Sequence, residues 1–101
     1  MRVIVFFDLP VDNAKLRRQY SKFRKFLINE GFIMMQESVY SKLALNGSVV
    51  ASIKEKLHKN RPKEGLVQML TITEKQYSGI EFITGQSDNK TLNNTDRTII
   101  I

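Results

Sequence analysis

The stretch Arg2-Val3-Ile4-Val5-Phe6-Phe7-Asp8-Leu9-Pro10 decides the fold. Side chains alternate across a β-strand, so Val3, Val5, Phe7 and Leu9 share one face while Ile4, Phe6 and Asp8 share the other. Both faces are apolar as far as Asp8, so both need cover. Pro10 ends the strand because it has no amide hydrogen to give to a ladder. A leader peptide could begin with a similar run, but Asp8 and Pro10 interrupt this one too soon. No apolar run approaches the roughly 20 residues needed to cross a bilayer. The expected location is the cytoplasm.

Working outward, residues 13–30 read as a long helix. Asp12 or Asn13 can cap its first turn. Leu16, Tyr20, Phe23 and Leu27 recur at helical steps and draw one apolar stripe, widened by Phe26 and Ile28. Gly31 is placed to stop it. Residues 32–42 read as a second strand, with Phe32, Met34 and Tyr40 on one face and Ile33, Met35, Val39 and Leu43 on the other. Asn46-Gly47 forms a turn. A second helix covers residues 48–59, with Val49, Val50, Ile53 and Leu57 inward, and Asn60, Pro62 and Gly65 lead out of it. Residues 66–73 form a third strand, residues 74–78 a turn or helical turn, and residues 80–84 a fourth strand. A polar stretch follows, and Thr98, Ile99, Ile100 and Ile101 form a last short strand.

This order predicts an α+β domain, a ferredoxin-like split βαβ sandwich: an antiparallel sheet with two helices on one face, plus the short C-terminal strand. Residues 1–84 would be the ferredoxin-like domain. Residues 85–101, the polar loop and last strand, would pack on a dimer mate or another partner. Two helices cover one face of the sheet only, while the strands are apolar on both. A second copy is the simplest cover, so a homodimer stacked face to face is expected, with the isoleucine strand extending the other subunit's sheet.

The 101 residues make one domain. Hydrophobic residues are 42% and charged residues 26%, a globular balance. There is no cysteine, which excludes disulfides, thiolate metal sites and cysteine nucleophiles. His58 is the single histidine and reads as a surface side chain. No P-loop, dinucleotide glycine pattern or zinc ligand set is present. The net charge of +6 favours polyanionic partners, chiefly nucleic acid.

Lys15, Arg17, Arg18, Lys22, Arg24 and Lys25 fall on one helix with no acid among them. Arg18, Lys22 and Lys25 stack at four- and three-residue steps. Like charges this close repel, so the pattern favours a footprint for a phosphate backbone over a merely solvated face. Arginine grips phosphate bidentately and keeps its charge, which singles out Arg17, Arg18 and Arg24. Lys54, Lys56, Lys59, Arg61 and Lys63 form a second cluster, diluted by Glu55 and Glu64. Glu30 ends the first helix. Glu37 lies mid-strand, where it would pair across the dimer. Asp8 sits where a buried strand exits. It either accepts hydrogen bonds from the turn at Pro10 or from the first helical turn, or it offers a carboxylate to a metal, with its symmetry mate beside it in a dimer.

Val3-Ile4-Val5-Phe6-Phe7-Asp8-Leu9-Pro10 resembles the opening strand of the CRISPR-associated protein 2 family. The basic helix from Arg17-Arg18 through Lys25-Phe26-Leu27 follows at the family's spacing. Gly31-Phe32 and Gln36-Glu37-Ser38-Val39-Tyr40 resemble its second strand, and Leu70-Thr71-Ile72-Thr73-Glu74-Lys75-Gln76 is similar to the version found with type II systems. The resemblance covers nearly the whole chain and is weakest from Gly85 to Thr95.

That resemblance implies a ferredoxin-like homodimer acting in spacer acquisition for antiviral defence. It implies a partner, the CRISPR-associated protein 1 integrase, two dimers of which flank one dimer of this protein. It implies double-stranded DNA, the spacer precursor, held by its backbone, with the two basic clusters as contacts. The last strand would contribute to the integrase contact; the sequence stops at Ile101, so any further tail is missing or short. The alternative it implies is a magnesium-dependent endoribonuclease or endodeoxyribonuclease, cleaving single-stranded RNA or duplex DNA with Asp8 as the metal-binding, catalytic acid. A small toxin-like ribonuclease is a third reading.

Overall fold

A computed structural model describes residues 1–86. Strand β1 is Arg2–Asp8, helix α1 Ala14–Asn29, β2 Ile33–Gln36 and β3 Val39–Leu43. Helix α2 is Gly47–Lys59, β4 Leu66–Ile72 and α3 Glu74–Ser78. The helix ends are set by their own residues. The Asn13 side chain accepts the Leu16 amide at 2.9 Å, and Asn46 accepts that of Val49 at 3.0 Å, each satisfying an amide the helix leaves unpaired. Past α1, Gly31 takes φ +95°, a left-handed conformation that favours glycine. Thr73 and Gln76 cap α3 reciprocally through side chain and backbone.

The sheet runs β2-β3-β1-β4, and every pairing is antiparallel. With two helices crossing between strands, this is the ferredoxin-like arrangement expected from the sequence. Val3, Val5 and Phe7 point from β1 toward the helices and are buried with Phe23 and Leu27 of α1 and with Ile53 and Leu57 of α2. Phe7 is the hub. Its ring lies 5.2 Å from Phe23 at an interplanar angle of 88°, 6.0 Å from Tyr20, and 5.8 Å from Tyr40. Burying such a side chain contributes about 1.5–3 kcal/mol, and each well-placed ring pair roughly 0.5–1.5 kcal/mol more.

Two expectations need correction. Residues 32–42 are not one strand but a tight hairpin, β2 and β3. Gln36 pairs with Val39 across Glu37-Ser38, and Ser38 takes φ +65°. A register shift between Met34 and Gln36 absorbs one extra residue. Glu37 therefore sits exposed in the turn and not mid-strand. Residues 80–84 form no strand. Ile80, Phe82 and Ile83 are exposed and meet no ladder among the described residues, and apolar composition without a pairing edge does not make a strand. The last strand, from Thr98 to Ile101, lies outside the described residues.

Among the described residues, nothing covers the face of the sheet opposite the helices. Register places Arg2, Ile4, Phe6 and Asp8 of β1 there, beside Leu43, Ser41 and Val39 of β3 and Ile72, Leu70, Gln68 and Leu66 of β4. Ile33 joins them opposite Ser41. Ile33, Leu43, Leu66 and Leu70 are between 49% and 56% exposed. Ser41 is fully buried between these larger neighbours, and its hydroxyl has no hydrogen-bond partner among the described residues.

Candidate nucleic-acid interface and the Asp8 carboxylate

α1 carries no acid along its length. Its buried stripe, Phe23 and Leu27, faces the sheet, so Lys15, Arg17, Arg18, Lys22, Arg24 and Lys25 are all exposed. Arg17 is partly committed to structure. Its guanidinium donates to the Val11 carbonyl at 3.2 Å and folds back over the segment before the helix. Arg18, Lys22, Arg24 and Lys25 have no ion pair among the described residues. Arg18, Lys22 and Lys25 span about 10 Å of helix axis, the rise of roughly three base pairs.

α2 buries Ile53 and Leu57 in the same core, so its outer residues lie on the same side of the sheet as those of α1. Lys56 is spent on structure, since its ammonium sits 3.2 Å from the Glu30 carboxylate and ties the two helices together. Lys54, His58 and Arg61 border an open groove of about 480 Å³ whose floor includes Leu57, Val67 and Met69. Lys59 is exposed. Lys63 stands apart from them, across a cavity of about 30 Å³ from Lys15, beside Leu9 and Pro10. The structure thus sets Lys15, Arg18, Lys22 and Lys25 along the outward side of α1 with Arg17 and Arg24 on its flank, spreads the second cluster along a groove and a loop, and takes Arg17 and Lys56 partly out of play. His58 is a surface side chain, as its surroundings in the sequence suggested.

Asp8 is the last residue of β1. Parity along the strand puts it on the uncovered face, where it pairs with Leu66 and is exposed. Among the described residues no hydrogen bond or ion pair engages its carboxylate, neither from the turn at Pro10 nor from the start of α1, whose cap is Asn13. Nor do the described residues hold any group of three or more histidine, cysteine, aspartate or glutamate side chains suited to a metal.

One polar cluster escaped the sequence. Arg2 reaches Glu74 through two contacts, 2.8 Å and 3.1 Å, and its guanidinium lies 4.1 Å over the Tyr77 ring. Seventy-two positions separate Arg2 from Glu74, so no local pattern announces it. The cluster pins α3 beside the first residue of β1 and is structural.

The family model for CRISPR associated protein Cas2 matches residues 1–80. The chain belongs to this family. Among its relatives is the CRISPR-associated endoribonuclease Cas2 of Treponema denticola, 54% identical over 101 residues, with both chains fully covered. The protein of the same name from Streptococcus mutans is 46% identical over 101 residues, covering all of this chain and 93% of that one. A crystal structure of Streptococcus pyogenes Cas2 at pH 6.5 superposes with a TM-score of 0.62 at 16% identity, over 83% of this chain and all of that one. At that identity the likeness speaks for the shared fold. Among the described residues, no helix of this Cas2 family member is long and apolar enough to cross a membrane.

Proposed function

We propose that the chain acts as a cytoplasmic homodimer in CRISPR spacer acquisition, holding spacer-precursor duplex DNA by its backbone and bridging integrase dimers. The observation that carries this reading is the division of the molecule into two unlike surfaces. Among the described residues, one side of the sheet is apolar and uncovered, and the other carries helices whose outer faces are rich in cations without ion pairs. A second copy laid on the open face by a two-fold axis buries Ile4, Phe6, Ile33 and Leu70 twice over, and leaves a basic helix layer on each outside. Phosphate contacts are blind to base sequence, which suits a protein that must accept any spacer. Arg18, Lys22, Arg24 and Lys25 are the principal contacts, with Lys54, Lys59, Arg61 and Lys63 extending them. Arg17 and Lys56 keep their structural bonds and contribute less. Thr98, Ile99, Ile100 and Ile101 are proposed for the partner interface.

The test is size exclusion with light scattering on this protein and its cognate integrase, with and without a short duplex. One dimer of this chain between two integrase dimers, tightened by duplex, is the expected result. Separate elution of the two proteins at low salt, with duplex present, contradicts the reading.

A second reading, phosphodiester hydrolysis at Asp8, is favoured by the unengaged carboxylate and by relatives that are named endoribonucleases. Among the described residues Asp8 belongs to no cluster of three or more metal-ligating side chains, and one carboxylate is not by itself a magnesium site. Magnesium keeps much of its water and needs only one or two carboxylates beside the substrate phosphate. The donor set therefore fits Mg2+ when Asp8 of two copies converge at the dimer axis. The ion would supply charge neutralisation at the phosphate. In the hydrolysis itself, a water oxygen bonds to phosphorus, one P–O ester bond breaks, and a proton from the water ends on the leaving oxygen. The chain's part in this step is to present Asp8, which lies on the sheet face opposite the helix cations. Loss of magnesium-dependent cleavage in Asp8→Asn, with dimer and duplex binding intact, is the expected result of this reading.

A further inference from the structure

We infer that Gly65 is a positioning residue for Asp8. The inference rests on the second reading above, in which Asp8 is the reacting acid. Gly65 joins the end of α2 to β4, just before Leu66, the ladder partner of Asp8. It takes φ +98° and lies directly against the end of β1. A β-carbon at this position would stand 2.8 Å from the Asp8 carbonyl oxygen, 2.7 Å from Leu9 Cδ2 and 3.1 Å from Leu9 Cα. Two of these three atoms are backbone, so they yield only if the Asp8-Leu9 segment moves. The same connection also meets this segment at the cavity of about 30 Å³, whose lining includes Pro62, Glu64, Leu9 and Pro10. The absent side chain at 65 thus sets where the β1 strand ends and where its last carboxylate points. A group that must share an ion with its symmetry mate tolerates little displacement, because misplaced ligand support costs about 10–100-fold in metal affinity.

Gly31 supplies the control. Its φ of +95° is nearly the same, so alanine there meets the same backbone strain. Its β-carbon would meet only the end of the Lys42 side chain, at 3.6 Å and 3.7 Å, remote from Asp8. The experiment compares Gly65→Ala and Gly31→Ala in the full chain by amide NMR, with Mn2+ as the paramagnetic probe. Gly65→Ala is expected to shift the Asp8 and Leu9 amides far more than those of Val3 to Val5, and to weaken Mn2+ broadening at Asp8 by about 10-fold or more. Gly31→Ala, which meets the backbone strain without the clash, is expected to lose less stability and to change neither. If Gly65→Ala does not fold, the double variant Leu9→Ala/Gly65→Ala removes the 2.7 Å contact and keeps the one to the Asp8 carbonyl. Unmoved Asp8 and Leu9 amides, or equal loss of Mn2+ binding in both glycine variants, overturn the inference. Wild-type protein that shows no Mn2+ effect at Asp8 defeats the metal reading instead, and the amide shifts alone then decide the positioning.

Discussion

Leu70→Glu should split the dimer while leaving the subunit folded. Leu70 lies on the uncovered face, opposite Ile4, and is 51% exposed in the single chain. Full burial of a leucine contributes about 1.5–3 kcal/mol, so the half still open contributes roughly 1 kcal/mol when a second copy covers it. A two-fold interface contains the residue twice, which makes about 2 kcal/mol per dimer. Leu70→Ala should therefore weaken dimerisation about 30-fold, at 1.4 kcal/mol per tenfold. Glutamate also carries an unpaired charge into each half of the interface, at several kcal/mol apiece, so the loss should exceed roughly 1,000-fold. Within the subunit the same side chain is already half in water, so folding should change by about 1 kcal/mol. Sedimentation or light scattering across a concentration series reads the dissociation constant, and circular dichroism reads the fold. Leu45→Glu is the control, since Leu45 is 83% exposed in the β3–α2 connection, off the sheet. A dimer of unchanged affinity in Leu70→Glu, or an equal effect from Leu45→Glu, would refute the reasoning.

Replacing Arg18, Lys22 and Lys25 together by alanine should weaken binding to unrelated duplexes alike. It should also flatten the slope of log K against log salt by up to about 5, at roughly 0.9 per phosphate contact and three cations from each of two chains; an unchanged slope, measured by anisotropy titration, would remove α1 from the interface. Asp8→Asn should lower magnesium-dependent cleavage of single-stranded RNA at least about 100-fold without altering the dimer, whereas cleavage at the wild-type rate would place that activity elsewhere. Ser41→Ala should leave stability unchanged or raise it by about 1 kcal/mol in urea melts, because the buried hydroxyl it removes has no partner among the described residues. A marked loss would mean that the hydroxyl is satisfied.

What could be read in the sequence was local. The cap of α1, narrowed to Asp12 or Asn13, and the stop at Gly31 are written in single residues, whereas Asn46, read as part of a turn, is the cap of α2. The two-sided apolar character of β1 gave the open face, and strand parity put Asp8 on it. The absence of acids from α1 is likewise a local property, and the exposed cations follow from it. The β2–β3 hairpin was hidden because its turn is Glu37-Ser38, with no glycine, asparagine or proline to mark a positive φ, inside a run whose two arms are both apolar. Residues 80–84 show the converse: apolar residues suggested a strand, but a strand needs an edge to pair with. The long-range pairs Lys56–Glu30 and Arg2–Glu74 depend on where helices and strands dock, so the sequence could not say which cations were already spent.

The central claim joins the two surfaces: one dimer, built on the open sheet face, presents its helix cations to duplex DNA. Light scattering of the protein titrated with a short duplex at low salt tests both halves at once. A complex of two chains per duplex, dissolving as salt rises, is the result predicted. A duplex bound by single chains, or no complex at low salt, would contradict it.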